Sequence, residues 1–336
     1  MDLRTPFGRF WRFGLSLIGA CATAASACHS SPTAPGSLAS ALSFSSSPID
    51  AAVIEFVTPL GHLNPPDHTF PTDHIYFYHH LNHPTAPAYA VVAPAGGTVT
   101  SILQHGDQKV SVEVTSSQTY YLDHVVLDGT IQQGAKITAG QRLGMTSSAA
   151  YALDFGLVNT AVTLGFINPA RYATDSVHAD MPLKYFAEPL KTTLYGLVQR
   201  IGADKDGQVC FDHTGTLAGN WFLDSLPVAQ SAAYGAGPMQ LAFVRDPADP
   251  TQLCISIGGT LAMTGVLNVA AGATDPALVT PASGVVAYPV AAPFFGGPSG
   301  VVLVQMNSGG SITVEAFPGA TAGTVTFTTN ARTYVR

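Results

Sequence analysis

Charged side chains are scarce in this sequence and make up only 10% of its 336 residues. The 14 Lys and Arg are outnumbered by 21 Asp and Glu, which gives a formal net charge of −7. Proteins that bind nucleic acids neutralise phosphates with clustered Lys and Arg, and the sequence contains no such cluster. Nucleic acid is therefore excluded as an expected partner.

Long apolar runs are also missing. No stretch after residue 20 is long and apolar enough for a transmembrane helix, which needs about 20 apolar residues. In place of such runs the chain has 33 Gly and 24 Pro, which favour turns, and short runs of β-branched and aromatic residues. This composition predicts a mostly β protein.

The first 28 residues have the pattern of a bacterial export signal. Arginines come first, an apolar stretch follows at residues 13–20, and small residues lead to a cysteine. The four residues that end at Cys21 resemble the lipobox of bacterial lipoproteins, and those that end at Cys28 offer a second lipidation candidate. We expect an exported lipoprotein, held at a membrane by its lipid anchor, in the periplasm or at the cell surface. An ordinary cleaved signal with two incidental cysteines is the alternative.

Two cysteines follow that segment, Cys210 and Cys254. Export would bring them into an oxidising compartment, where disulfides form and persist. A disulfide between them is predicted. Two separate buried thiols are the alternative, because the sequence does not give the distance between them.

Changes in composition divide the rest of the chain into four parts. Residues 29–50 are rich in Ser, Pro, Ala and Gly and predict a flexible tether. Residues 51–180 contain short β runs between glycine turns, and residues 183–200 have the apolar spacing of a helix. Residues 204–336 return to short strands. We expect two β-rich domains joined by a short helix, the second a barrel or sandwich of unidentified family.

Histidines are concentrated in one segment, where six of the eleven lie between residues 62 and 83. Histidine is the commonest metal ligand and the usual general base near neutral pH. A single histidine is more often structural than a ligand, and the zinc motif His-Glu-x-x-His is absent. The density of the cluster nevertheless marks the first domain as the part where chemistry is expected.

From His74 onward the first domain carries several motifs in a fixed order. An Ala-Pro-x-x-Gly-x-Val turn occupies residues 93–99, a Tyr-x-x-His element residues 121–124, a glycine loop residues 131–144, and a closing strand residues 152–157. This segment, about a quarter of the chain, resembles the M23 (lysostaphin-type) zinc metallopeptidases, which cut peptide cross-links in peptidoglycan. The resemblance implies a β-sheet domain of the duplicated hybrid motif type.

The resemblance assigns roles at some positions and departs from the family pattern at others. His74 matches the first metal ligand, and His124 matches the catalytic histidine of the Tyr-x-His element, which is one residue longer here. Asp154 stands where the family has a ligand histidine. The family's ligand aspartate is Tyr78 in this chain, and its second catalytic histidine is Ala152. The resemblance thus leaves His74 and Asp154 as candidate zinc ligands and His124 as a candidate catalytic residue.

A catalytic zinc site takes three protein ligands and keeps one position open for water. The third ligand would have to come from a nearby side chain, and the candidates are His124, Asp73, His68 and Tyr78. His124 cannot readily serve as both ligand and base. We therefore expect no cofactor, with zinc as the alternative.

These considerations favour a cell-envelope lipoprotein whose M23-like domain is degenerate and acts as a binding or scaffold module. Its expected partners are the membrane, through the lipid anchor, and peptidoglycan or an envelope protein. The alternative is a divergent zinc metallopeptidase that acts on peptidoglycan with a rebuilt site.

Overall fold

The computed structural model describes residues 41–82, 84–85, 87–293 and 296–336, and residues 41–336 cluster as a single unit. The predicted export signal, both candidate lipidation cysteines (Cys21 and Cys28) and about half of the predicted tether lie outside the described residues. The other half, residues 41–50, is not a tether, because Leu42, Phe44 and Ile49 are buried in the core of the sheet. In the described part of the chain, no helix combines the length and the apolar character that a membrane span requires.

Within the described residues, the first half of the chain forms a nine-stranded antiparallel sheet. Its strands are β1 (Phe56–Thr58), β2 (His74–Tyr78), β3 (Ala90–Val92), β4 (Gly97–Gln104), β5 (Gln108–Thr115), β6 (Gln118–Leu127), β7 (Lys136–Ile137), β8 (Arg142–Thr146) and β9 (Ala152–Asn159). The main order is β1-β2-β9-β6-β5-β4-β7, while β8 pairs with β6 and β3 pairs with β8. Strands β4 to β6 are joined by tight turns, because their connections are only two or three residues long.

Strands β2 and β9 alternate between the apolar core and a polar face. Ile75, Phe77 and Phe155 are fully buried in the core. Because successive side chains of a strand point to opposite faces, Tyr76 and Asp154 lie on the other side of the sheet. The strand register pairs Tyr76 directly with Asp154, so the packing of the core decides which polar groups meet.

The second half closes into an eight-stranded antiparallel barrel, counted over the residues described there. Its strands are β10 (Gly219–Leu223), β11 (Gln240–Arg245), β12 (Leu253–Ile257), β13 (Gly265–Val269), β14 (Val285–Ala291), β15 (Ser299–Ser308), β16 (Ser311–Pro318) and β17 (Arg332–Val335). Pairing of β10 with β17 closes the ring, and Trp221, Tyr288 and Tyr334 are fully buried in its core. The predicted mostly β fold class is confirmed. Of the two alternatives expected for the second domain, a barrel or a sandwich, the structure has the barrel.

Helices are short. The structure has α1 (Thr174–Val177), α2 (Leu190–Gly196) and 3-10 turns at Ala51–Val53, Pro169–Arg171, Pro182–Tyr185, Val228–Gln230, Gly237–Met239, Pro276–Leu278 and Pro281–Ser283. The helix predicted over residues 183–200 is therefore shorter than expected. Phe186 is extended between the 3-10 turn and α2, and Pro189, which has no N–H to donate, is the N-cap of α2.

The connection between β1 and β2, residues 59–73, lies against the barrel, and we call it the histidine loop. Leu63 in this loop packs against apolar side chains of β11 and β12. The Thr69 hydroxyl donates to the carbonyl of Gly237 over 2.8 Å. A Cβ at Gly258 would lie 1.9 Å from that carbonyl oxygen and 2.8 Å from Thr69 Oγ1. The barrel therefore needs glycine at this position to hold the loop so closely.

Cys210 and Cys254 are free thiols in the structure and do not form the expected disulfide. Cys254 belongs to the small apolar cluster that contains Leu63. Cys210 packs at the edge of the sheet core instead. The two thiols lie in separate clusters, which is the physical reason for the difference from the prediction.

Phe155→Ala is expected to lower the free energy of unfolding by about 3–5 kcal/mol, as for other large buried aromatic side chains. The ring is fully buried and packs against the rings of Phe44, Phe77 and Tyr120. Urea unfolding measures the change. The control is Leu103→Ala in β4, where the side chain is 54% exposed and an effect of at most about 0.5 kcal/mol is expected. Equal losses in the two variants would contradict this description of the core.

Candidate functional site

The His74 side chain lies between two aspartates on the polar face of the sheet. Its Nδ1 is 2.9 Å from Asp73 Oδ1, and its Nε2 is 3.3 Å from Asp154 Oδ2. Burial alone would lower the pKa of His74, but the negative charge of Asp154 and the hydrogen bonds to both aspartates raise it to about 10. At neutral pH His74 is therefore a buried cation that donates from both ring nitrogens.

Asp73 accepts several hydrogen bonds that keep it ionised. The Tyr121 hydroxyl donates to its Oδ1 over 2.7 Å, and the Ser176 hydroxyl donates to its Oδ2 over 2.6 Å. Burial favours the neutral acid, yet the hydrogen bond from His74 and these two hydroxyls hold the pKa of Asp73 far below its usual range. Gly156 makes this arrangement sterically feasible, because a Cβ there would lie 2.1 Å from the Tyr121 ring.

Tyr76 occupies the space beside the nitrogen of His74 that a metal ion would need. Its hydroxyl oxygen is 2.9 Å from His74 Nε2. Burial, followed by the charge of Asp154, raises the pKa of Tyr76 well above its ordinary value. The phenol therefore stays neutral, and its oxygen can accept a hydrogen bond from a protonated His74 Nε2.

His124 extends the same polar face. Its Nε2 is 3.5 Å from Asp154 Oδ2, and its Nδ1 is 2.9 Å from Asp107 Oδ2. Its backbone has a φ of 65°, a left-handed conformation in which its N–H donates to Asp123 Oδ1 over 2.7 Å. Burial would lower the pKa of His124, but the charge of Asp154 and the hydrogen bond to Asp107 raise it. Burial would raise the pKa of Asp154, and the charge of His74 lowers it instead.

Two members of the histidine loop approach this face as neutral rings. The His68 ring lies 5.6 Å from the His74 ring, and the His62 ring lies 4.9 Å from the Tyr76 ring. Burial, and then the neighbouring histidines, lower the pKa of His62 to about 4. The same causes lower the pKa of His68. The two rings thus shield the His74 cation from water without adding charge.

The arrangement does not fit a catalytic zinc ion, although two of its distances do. Two ligands of a tetrahedral zinc ion lie about 3.3–3.5 Å apart, and the His74–Asp154 and Asp154–His124 pairs measure 3.3 Å and 3.5 Å. Buried Asp154 Oδ1 also has no hydrogen-bond partner. Yet the Tyr76 hydroxyl lies only 2.9 Å from His74 Nε2 and takes up the space beside that nitrogen. No third His, Cys, Asp or Glu of the described residues brings a ligand atom within 4.8 Å of the His74 and Asp154 ligand atoms.

The structure brings His74, Asp154 and His124 to one place on the sheet, as the resemblance implied. Sequence reasoning missed the role of Tyr76, although its position two residues after His74 on the same strand face was a usable signal. It also missed His105 and Asp107, which flank the turn between β4 and β5. Among the clustered histidines, the rings of His79 and His80 pack instead against the ring of Tyr89.

Neither a protein-family model nor a curated protein sequence matches this chain. Solved structures do match part of it. Csd3 of Helicobacter pylori has 13% identity and a TM-score of 0.30, with 44% of this chain and 33% of that chain covered. The M23 metalloprotease pseudoalterin has 15% identity and a TM-score of 0.28, with 43% and 87% covered. The catalytic domain of the prophage-encoded M23 protein EnpA from Enterococcus faecalis has 17% identity and a TM-score of 0.24, with 36% and 82% covered.

The match with Csd3 spans only about a third of the length of that protein. At such identities and TM-scores, these similarities carry no argument about activity. Pseudoalterin and EnpA are named as M23 proteins, and M23 is the family whose motifs this sequence resembles. What this chain does has to be argued from its own residues.

The buried His74 cation predicts how stability depends on pH. Its pKa in the folded protein is about 10, above the 6.5 of the unfolded chain. Its contribution is therefore fully present below about pH 6.5 and is lost as the pH rises through about 10. The free energy of unfolding should fall by roughly a few kcal/mol between about pH 7 and pH 10, as urea unfolding at each pH can measure.

His74→Gln should remove most of this pH dependence and be less stable than the wild type at neutral pH. The matched control is His213→Gln, which replaces an exposed histidine and should keep the wild-type slope. A His74→Gln variant with the wild-type slope would show that another group carries the effect.

Proposed function

We propose that the sheet domain is a non-hydrolytic binding module of an exported cell-envelope protein, with peptidoglycan as its ligand. The observation that carries this proposal is the hydrogen bond between His74 Nε2 and the Tyr76 hydroxyl. The nitrogen that a metallopeptidase would use as a ligand contacts a phenol here, and the raised pKa of His74, caused by Asp154 and Asp73 against the effect of burial, favours a proton on it. The motifs at residues 93–99 and 131–144, which resemble those of enzymes acting on peptidoglycan, support the class of ligand.

The remaining positions of the site also favour binding over hydrolysis. Peptide hydrolysis by this kind of site needs a metal to polarise the carbonyl or activate water, and a second group to move the proton. Tyr78 and Ala152 stand at two of the family's functional positions. His124, the one candidate base, is engaged by carboxylates at both ring nitrogens. The site therefore has groups that can recognise a ligand but no activated nucleophile.

The accessible rim of the site carries aromatic rings and the imidazole of His124. Tyr78 is half-buried at the end of β2 and pairs in register with Ala152. Tyr151, the residue before β9, is 58% exposed. The His124 side chain is 34% exposed. Aromatic rings present apolar faces with a polar tip, which suits sugar rings, and an imidazolium can pair with the carboxylates of peptidoglycan stem peptides.

Export and lipid anchoring are part of the same proposal. The export-signal pattern of residues 1–28, with Cys21 or Cys28 as the lipidated residue, supports a location at a membrane surface. A tether formed by the Ser-, Pro- and Ala-rich sequence before residue 41 would give the domain reach from that surface. A binding module on such an anchor would link the membrane to the cell wall.

The test is co-sedimentation of the purified protein with insoluble peptidoglycan. The wild type is expected to sediment with it, and Tyr78→Ala and Tyr151→Ala should each weaken binding by about fivefold or more, the effect of losing roughly 1 kcal/mol at an interface. The matched control is Tyr234→Ala, since Tyr234 is 98% exposed and lies before the barrel strand β11. It should bind like the wild type.

The same samples, supplied with zinc, are assayed for soluble peptidoglycan fragments, and none are expected. Zinc-dependent release that is lost in His124→Ala would overturn the proposal in favour of a divergent zinc metallopeptidase. A wild-type protein that stays in the supernatant would contradict peptidoglycan as the ligand.

A further inference from the structure

The turn between β4 and β5 and the middle of β6 bring a second set of donor groups together. His105 and Asp107 flank Gly106 in the turn, and Asp123 lies in β6 beside it. One ligand atom from each of the three residues lies within 4.8 Å of the other two, and no other such set of three occurs in the described part of the chain. Their convergence is a property of the fold, because β6 follows β5 in the sheet.

His105 lies between the two carboxylates. Its Nδ1 is 3.3 Å from Asp107 Oδ1, and its Nε2 is 3.1 Å from Asp123 Oδ1. Only one of these nitrogens can bind a given ion, and each has one carboxylate oxygen near the roughly 3.3 Å that separates two ligands of a tetrahedral ion. An imidazole with two carboxylates is a donor set suited to zinc and other divalent first-row ions, and it contains none of the thiolates that favour softer ones.

The carboxylates of this face are paired only with histidines. Among the described residues, the ion-pair partners of Asp107, Asp123 and Asp154 are all histidines, with no Lys or Arg. The side chains of Asp107 and Asp154 are only 8% and 6% exposed. Carboxylates buried without a permanent positive partner are costly.

An independent observation concerns Asp154, the cross-strand neighbour of Asp123. Its Oδ1 is buried without any hydrogen-bond partner, while its Oδ2 lies 3.5 Å from His124 Nε2. His124 in turn contacts Asp107 through its other nitrogen. One buried acceptor atom is thus unsatisfied in the strand next to Asp123. His105, 36% exposed, leaves an entry path from solvent.

We propose that His105, Asp107 and Asp123 form a binding site for a divalent transition-metal ion such as zinc, separate from the position of His74. A bound ion would fasten the β4–β5 turn to β6 and offset the carboxylate charge beside His124. The site takes no part in hydrolysis and does not depend on peptidoglycan binding.

The experiment is a calorimetric titration of untagged, chelator-treated protein with zinc chloride, with elemental analysis after buffer exchange. The wild type should retain about one zinc ion per chain. His105→Ala should weaken zinc binding by at least about tenfold, the scale seen when groups that support a metal site are removed. His74→Ala and His213→Ala should bind zinc like the wild type.

Asp107→Asn and Asp123→Asn test the same site with less risk of unfolding, because each keeps the side-chain volume and removes only a charge. Circular dichroism confirms that each variant is folded, and each should weaken zinc binding as His105→Ala does. The proposal is overturned if the wild type binds no zinc. It is equally overturned if His74→Ala abolishes binding while the folded His105→Ala or asparagine variants retain it.

Discussion

The positive charge buried on His74 is the interaction on which the polar face of the sheet depends. A buried cation is tolerated only when opposite charges and hydrogen bonds surround it, and Asp73 and Asp154 supply them at 2.9 Å and 3.3 Å. Both aspartates are in turn held by other groups, Asp73 by two hydroxyls and Asp154 by His124. Removing the central charge would leave the two buried carboxylates with only these weaker partners. The site is therefore self-consistent as an ion-pair network, whether or not any ligand is present.

The same network supports the proposal that the sheet domain does not act as a zinc peptidase. A metal ligand must offer a lone pair, whereas His74 is stabilised as a double donor by its carboxylates and by Tyr76. The substitution of Asp154 for a histidine adds negative charge where the family has a neutral ring. That added charge favours protonation of His74 and His124. Protonation and metal binding compete for the same nitrogen, and in this chain the surroundings favour the proton.

Much of the fold could be predicted because it depends on local patterns. The alternation at Val110 and Val112 predicts a half-buried strand, and both side chains are fully buried in β5. Closure of the barrel could not be predicted, since Phe222 pairs with Val335 across more than a hundred residues. The contact between Asp107 and His124 also depends on register, which shifts between Gln108 and Val110 where β5 pairs with β6. A one-residue shift moves side chains to the other face, and the sequence does not show where it occurs.

The contact of Thr69 with Gly237, made possible by Gly258, has a consequence for how such a protein can evolve. The histidine loop belongs in sequence to the sheet but rests on the barrel, with Leu63 packed among barrel side chains. Recombination that exchanged the barrel at the linking segment would keep every strand of the sheet and still remove the support of this loop. The rings of His62 and His68 would then lose their fixed places above Tyr76 and His74. The two architectures are thus coupled through this loop, and a change in the barrel surface would alter the surroundings of the sheet's polar face.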